Sequence, residues 1–163
     1  MVRVGIVGIS GYSGLTALKL LLNHPQIRLT YVSAHTTTGS VSEIWPQLKG
    51  RTKLVCEKFS ADKAAARCDV ILLAVPHHAS MKITPLLLKK GVRVIDLSGD
   101  YRLASAAVYK KWYGQRHTDS RRLGKAVYGL PEIYRAKIAG ADLVANPGCY
   151  PTGFLALVRP LVR

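Results

Sequence analysis

Behind the first residue, the apolar run Val2-Arg3-Val4-Gly5-Ile6-Val7 gives way at once to Gly8-Ile9-Ser10-Gly11-Tyr12-Ser13-Gly14. Leu15, Leu18, Leu21 and Leu22 then recur at helical spacing, and Asn23-His24-Pro25 closes the helix. A strand, a glycine-rich turn and a helix in immediate succession form a βα unit. Glycines let backbone N–H groups approach pyrophosphate oxygens, and the helix start adds the positive end of its dipole. The spacing is G-x-x-G-x-x-G, not the commoner G-x-G-x-x-G, so the strand before and the helix after carry as much of the reading as the glycines. Gly8, Ser10, Gly11, Tyr12, Ser13 and Gly14 are the candidate phosphate contacts; a structural turn without a ligand is the alternative.

Further along, hydrophobic runs and helical segments alternate, which implies an α/β fold: a Rossmann-like, doubly wound, mostly parallel sheet. Strands are expected at Arg28–Val32, near Lys53–Cys56, over Val92–Leu97 and over Ala141–Ala145. Asp69-Val70-Ile71-Leu72-Leu73-Ala74-Val75-Pro76 is the strongest central strand, and its continuous apolar run predicts burial on both faces. Helices are expected over Ala61–Ala66, from His77 to Lys90 with Gly91 as the stop, over Ser105–Trp112 and over Ile133–Ile138.

NAD-binding folds usually place an acidic residue roughly 20 positions after the glycines, on the ribose 2′-hydroxyl. Here the second strand runs into Ser33-Ala34-His35-Thr36-Thr37-Thr38-Gly39-Ser40, and no acid follows before Glu43. A hydroxyl-rich loop with a histidine accommodates a 2′-phosphate, so NADP is expected over NAD. Ser33, His35 and Thr36 are the candidate contacts; an ordinary polar loop is the alternative.

Near the other end stands Ala145-Asn146-Pro147-Gly148-Cys149-Tyr150-Pro151-Thr152, between an apolar strand and the helical Gly153-Phe154-Leu155-Ala156-Leu157-Val158. A cysteine in such a strand-to-helix turn meets unpaired N–H groups and a positive helix end, which favour a thiolate. Cys149 is therefore the candidate nucleophile, against the alternative of a small buried cysteine.

Ligands of such sheets lie at the carboxyl ends of the strands. Four segments are expected to converge there: the glycine loop, Pro76-His77, Ser98–Arg102 and Asn146–Cys149. Pro76 and Ser98 are candidate cofactor walls. Arg102 is placed to pair with a phosphate or carboxylate, or else to bond the Asp100 turn as a surface arginine. His77 and His78 are expected to cap or pack rather than to carry protons.

The 163 residues, 48% hydrophobic and 20% charged, fit one soluble domain. No apolar run reaches the roughly 18 residues of a membrane span. The immediate strand at the start leaves no room for a targeting peptide. Cys56, Cys68 and Cys149 form no C-x-x-C pair, which argues against a disulfide framework or zinc site and for a reducing cytoplasm. The net charge of +15 suits an anionic ligand. Its densest run, Lys110, Lys111, Arg116, His117, Arg121, Arg122 and Lys125 with Asp119, reads as a solvated loop, and no nucleic-acid motif accompanies it.

Taken together, Gly8-x-x-Gly11-Tyr12-x-Gly14, His35-Thr36-Thr37, Pro46-Gln47-Leu48, Asp96 to Leu103, Tyr128-Gly129-Leu130-Pro131-Glu132 and Asn146 to Thr152 resemble the N-acetyl-γ-glutamyl-phosphate reductases of arginine biosynthesis. The related aspartate-semialdehyde dehydrogenases share the glycine loop and a catalytic cysteine but lack Gly-Cys-Tyr-Pro. A sister family reduces a carrier-linked aminoadipyl phosphate in lysine synthesis and shares most of the motifs. The resemblance implies NADPH-dependent reduction of an acyl phosphate to a semialdehyde, in a cytoplasmic homo-oligomer. Cys149 would displace phosphate to form a thioester, which hydride then reduces. It implies Arg102, Asn146 and Gly148 near the anionic substrate.

Family members are roughly twice as long, with a second α+β domain that carries a catalytic histidine. Residues 1–150 are accordingly expected to form the NADP-binding domain, and 151–163 the truncated start of the second domain's first helix. None of the five histidines corresponds to the family's catalytic one. An incompetent NADP-binding module is the alternative to an active reductase. The apolar face of Phe154, Leu155, Leu157 and Val158 is expected to be exposed.

Overall fold

The computed structural model describes residues 1–162. Its first half contains β1 (Val2–Val7), α1 (Tyr12–Leu22), β2 (Ile27–Ala34), β3 (Gly39–Ser40), α2 (Val41–Ile44), β4 (Val55–Lys58), α3 (Ala61–Arg67) and β5 (Val70–Leu73). The second half adds α4 (Ser80–Leu88), β6 (Arg93–Asp96), α5 (Ala106–Tyr113), β7 (Val127–Tyr128), α6 (Pro131–Ala139), β8 (Leu143–Ala145) and α7 (Cys149–Val158). The strands form one sheet in the order β3-β4-β2-β1-β5-β6-β8-β7, parallel at every pairing except β3 with β4.

From β1 the chain builds outward through β2 to β4, then returns to lay β5 on the other side of β1. The order therefore reverses between β1 and β5, the crevice where such sheets take ligands. Register aligns the strand ends: Val7 is level with Ser33 and Leu73, Leu73 with Asp96, and Asp96 with Ala145. Gly8, Ala74, Leu97 and Asn146 thus leave the sheet side by side, and the four expected segments do converge.

Strand alternation divides the core into two layers. Ile6, Val32 and Cys56 face Leu15 and Leu18 of α1. Val7, Ile71, Leu73 and Val94 face the other way, with Met81, Leu87 and Tyr109. The expectation that β5 is buried on both faces is corrected here. Ile71 and Leu73 are fully buried, whereas Val70 and Leu72 are only half-buried. α1 packs on β1 and β2 and leaves an apolar groove of about 370 Å³ over Leu72 and Leu97.

Several boundaries also move: α4 begins at Ser80 rather than His77 and ends at Leu88, and β8 begins at Leu143 rather than Ala141. β2 extends through Ser33 and Ala34 because Ser33 pairs with both Val7 and Glu57. The strand expected near Lys53–Cys56 lies at Val55–Lys58, in register with Val32–Ala34. The last helix begins at Cys149 itself, after extended Gly148 (φ −70°, ψ 159°), so a domain boundary at 150/151 falls inside it. Pro151 is tolerated in that first turn because its missing N–H has no helical acceptor there. No residue of α7 is buried; Phe154 and Leu157 stand exposed as expected, whereas Leu155 and Val158 are half-buried.

The basic run is solvated at Lys110, Lys111, Arg116, Arg121 and Lys125 but not at His117. That imidazole is buried edge-on between the rings of Tyr101 and Tyr109, at 5.0 and 4.9 Å, and its Nδ1 accepts the N–H of Asp119. Burial holds it below the ordinary histidine pKa. Two tyrosine rings from other segments outweigh the local charge pattern at this one position.

Candidate active site along the carboxyl edge of the sheet

The glycine loop is set by two close approaches. Gly8 has φ +99°, and a Cβ there would lie 2.1 Å from the Ala74 carbonyl oxygen of the neighbouring strand end. A Cβ on Gly14 would lie 2.1 Å from the Gly8 oxygen. Gly11 differs: its φ is −89°, and a Cβ would meet nothing nearer than Gly8 O at 3.7 Å. The fold itself does not require glycine at that position. Gly11 begins α1 with no side-chain cap, and the N–H groups of Tyr12 and Ser13 have no partner among the described residues. Ser10, Gly11, Tyr12 and Ser13 are all exposed. This cradle of open donors fits the diphosphate of a dinucleotide.

The loop is anchored from outside. Gly8 and Ile9 donate their N–H groups to the Ser33 carbonyl (2.7 and 3.2 Å), and the Trp45 indole donates to the Ile9 carbonyl (2.9 Å). Sequence reading passed over Trp45. The available signal was a tryptophan inside a polar stretch, whose single donor needs an acceptor when half-buried.

At the end of β2, Ser33 departs from expectation. Its side chain is fully buried with Oγ unpartnered, so it serves the loop through its carbonyl instead of reaching a ligand. His35 and Thr36 are exposed. The nearest acids are engaged elsewhere. Glu43 accepts the Ser40 N–H (2.9 Å), and Glu57 accepts from Lys63 and Arg67 (2.6 Å each). The Lys63 hydrogen bond, followed by the charge of Arg67, holds the Glu57 carboxyl below its ordinary pKa.

Pro76 and His77 stand exposed beyond β5. Ser98 does not join them as a wall. It is buried, donates its hydroxyl to Asp96 (2.8 Å) and accepts the Asp100 N–H (3.1 Å), so it braces the turn. Burial pushes the Asp96 carboxyl up. Asp100, fully buried, accepts the N–H groups of His78 (2.9 Å) and Met81 (3.0 Å) and the Tyr109 hydroxyl (2.8 Å). A carboxylate brought from the turn after β6 thus caps α4, whose own first residues supply no cap. His78 packs and bonds as expected, its Nδ1 3.1 Å from the Tyr109 hydroxyl. Asp100 and the tyrosines of α5 were not legible as a cluster, because three separate segments contribute to it.

The Arg102 side chain does not bond the Asp100 turn. Its Nε donates to the Asn146 carbonyl and its Nη2 to the Leu97 carbonyl, both at 2.8 Å. Two carbonyls from adjacent strand ends therefore fix the guanidinium and leave Nη1 without a partner among the described residues. A Cβ on Gly148 would lie 3.1 Å from that Nη1, so the free donor sits against the start of α7. The Asn146 side-chain amide turns back to the Pro147 carbonyl (3.0 Å). Cys149 is the first residue of α7 and is exposed, whereas Cys56 and Cys68 are buried and burial raises their pKa. The N–H groups of Cys149 and Tyr150 have no partner among the described residues. An accessible thiol, two open N–H donors and a fixed guanidinium can together hold an electrophile with an anionic leaving group.

Residues 3–141 match the family model described as semialdehyde dehydrogenase, NAD binding domain. The chain belongs to the semialdehyde dehydrogenase family. As a dinucleotide-binding domain of that family, it is 48% identical over its whole length to the N-acetyl-gamma-glutamyl-phosphate reductase of Desulfotalea psychrophila. It is 43% identical over 99% of its length to the reductase of that name from Synechocystis. It spans 47% and 46% of those two proteins, about half the length of the curated relatives it matches. Among solved structures, aspartate semialdehyde dehydrogenase with NADP from Candida albicans superposes with a TM-score of 0.71 at 16% identity, over 99% of this chain and 47% of that one. The Vibrio cholerae aspartate semialdehyde dehydrogenase II complexed with ASA gives 0.67 at 17%, over 99% and 46%. These two establish the semialdehyde dehydrogenase fold. No helix among the described residues is long and apolar enough to cross a membrane.

Proposed function

We propose that this domain belongs to an NADPH-dependent N-acetyl-γ-glutamyl-phosphate reductase of arginine biosynthesis, working in the cytoplasm, with Cys149 as nucleophile. The observation that carries the reading is the exposed Cys149 at the open start of α7, beside the unpartnered Nη1 of Arg102. Identity of 48% to a curated reductase of that name supports the substrate. The lysine-pathway sister reaction has no comparable support.

In this reading the Cys149 thiolate attacks the acyl-phosphate carbonyl carbon, and the carbon–oxygen bond to phosphate breaks. Arg102 Nη1 pairs with the departing phosphate, its charge held in place by two carbonyls. The Cys149 and Tyr150 N–H groups receive the developing oxyanion. The glycine loop grips the cofactor diphosphate, and Pro76 supports the cofactor farther along the edge. Bound NADPH supplies the hydride that reduces the thioester. NADP is preferred over NAD because His35 and Thr36 are open at the end of β2, where Glu43 and Glu57 are already bonded.

The test is acylation. Incubation with N-acetyl-γ-glutamyl phosphate, read by mass spectrometry, should add one N-acetylglutamyl group at Cys149 and none in Cys149→Ser. No adduct, or an adduct elsewhere, would overturn the reading. Tighter binding of NAD than of NADP would overturn the cofactor preference.

A further inference from the structure

The mechanism leaves one exposed, tautomer-fixed imidazole unused. His77 Nδ1 accepts the Gly99 N–H at 2.8 Å. A backbone N–H bonds only a ring nitrogen that carries no proton, so the proton of neutral His77 sits on Nε2. The ring is braced edge-to-face by Tyr113, centroids 5.4 Å apart at 69°. Tyr113 in turn covers Gly99 so closely that a Cβ there would meet its hydroxyl oxygen. The imidazole is thus held by two groups while remaining exposed, and its Nε2–H has no partner among the described residues.

Its place on the sheet edge matters. The cradle lies at the end of β1 and Cys149 beyond the end of β8, with β5 and β6 between them. At about 4.8 Å per strand, that separation is about 14 Å. A dinucleotide whose diphosphate sits in the cradle must cross the ends of β5 and β6 to bring its nicotinamide to the thiol. His77 and Gly99 occupy those two ends.

We infer that His77 is a positioning residue for the nicotinamide half of the cofactor, its Nε2–H donating to an acceptor oxygen of the nicotinamide ribose or carboxamide. This rests on the cofactor reading above. The Gly99 bond occupies Nδ1 and leaves Nε2 as the ring's open donor.

The experiment separates the two halves of the ligand. Dissociation constants for NADP and for adenosine 2′,5′-bisphosphate, which lacks the nicotinamide and its ribose, are measured with the wild-type chain, His77→Ala and His77→Gln. His77→Ala should weaken NADP about threefold to tenfold, the range of one net hydrogen bond. It should leave the bisphosphate within about twofold. His77→Gln, which retains an acceptor for Gly99 and a donor beyond it, should recover most of the loss. Equal loss for both ligands would overturn the assignment in favour of a general loop effect. So would unchanged NADP binding in His77→Ala, or no recovery by Gln. Failure of the wild-type chain to bind NADP would overturn the cofactor reading, and this assignment with it.

Discussion

Helices α3 and α5 begin at serines, and the hydroxyls of Ser60 and Ser105 accept the N–H groups of Lys63 and Val108 at 3.4 Å. Helices α1 and α7 begin at glycines, Gly11 and Gly148, and no side chain closes either first turn. The former pair stabilises its own helix ends. The latter pair leaves its donors open to whatever binds, and both open ends lie on the carboxyl edge of the sheet. α4 is a third case, capped by Asp100 from the neighbouring turn, so its donors serve structure although it starts on the same edge. The open starts of α1 and α7 coincide with the candidate site, whereas α6, which also lacks a side-chain cap, begins with Pro131.

The strongest attack on this division is chemical. Iodoacetamide should label one of the three thiols in the native chain, and Cys149→Ser should remove that label. In a full-length form of the enzyme the same change should lower turnover by at least about 10³-fold. Labelling at Cys56 or Cys68, both nearly inaccessible, would undo the contrast between open and closed sites.

A second pair of variants tests whether Gly14 serves the fold and Gly11 the proposed ligand. Gly14→Ala places a methyl 2.1 Å from a backbone oxygen and should cost more than about 2 kcal/mol in denaturant unfolding. Gly11→Ala should cost at most about 1 kcal/mol yet weaken NADP at least tenfold by titration, because its methyl occupies the cradle.

The pH dependence tests the buried cluster under α5. Burial lowers the folded-state pKa of His117, so its contribution to stability is complete above the unfolded value near ~6.5. That contribution is lost as pH falls toward the lowered folded value, because the unfolded chain takes up the proton first. Thermal melts should therefore drop between about pH 7 and pH 5. His117→Phe, which keeps the ring between two tyrosines, should flatten that part of the profile.

The smallest effect sharpens the comparison from its structural side. Ser60→Ala and Ser105→Ala should each cost about 1 kcal/mol or less and leave NADP binding unchanged. A change in NADP affinity from either would show that capped starts also shape the site.

Much of this was legible along the chain. The βα unit and the cysteine before the last apolar helix are local patterns, each confined to a few neighbouring residues. Arg102 was recognised by type, but its partners were not, because the Asn146 carbonyl is far away in the chain. Ser33 and Ser98 looked like ligand contacts because a hydroxyl near a strand end is ambiguous; burial directs one into the core and the other onto Asp96. His117 looked solvated because its sequence neighbours are charged, while its neighbours in space are tyrosines.

The amino-acid order by itself determined periodicity, the glycine turns and the residue types at the strand ends, since these depend on backbone sterics and on burial repeating every second or fourth position. Tertiary structure alone decided which donors stay open. An N–H or guanidinium is spent or free according to the carbonyls and carboxylates that other segments bring within hydrogen-bond reach, and the parallel register of β1, β5, β6 and β8 sets that meeting.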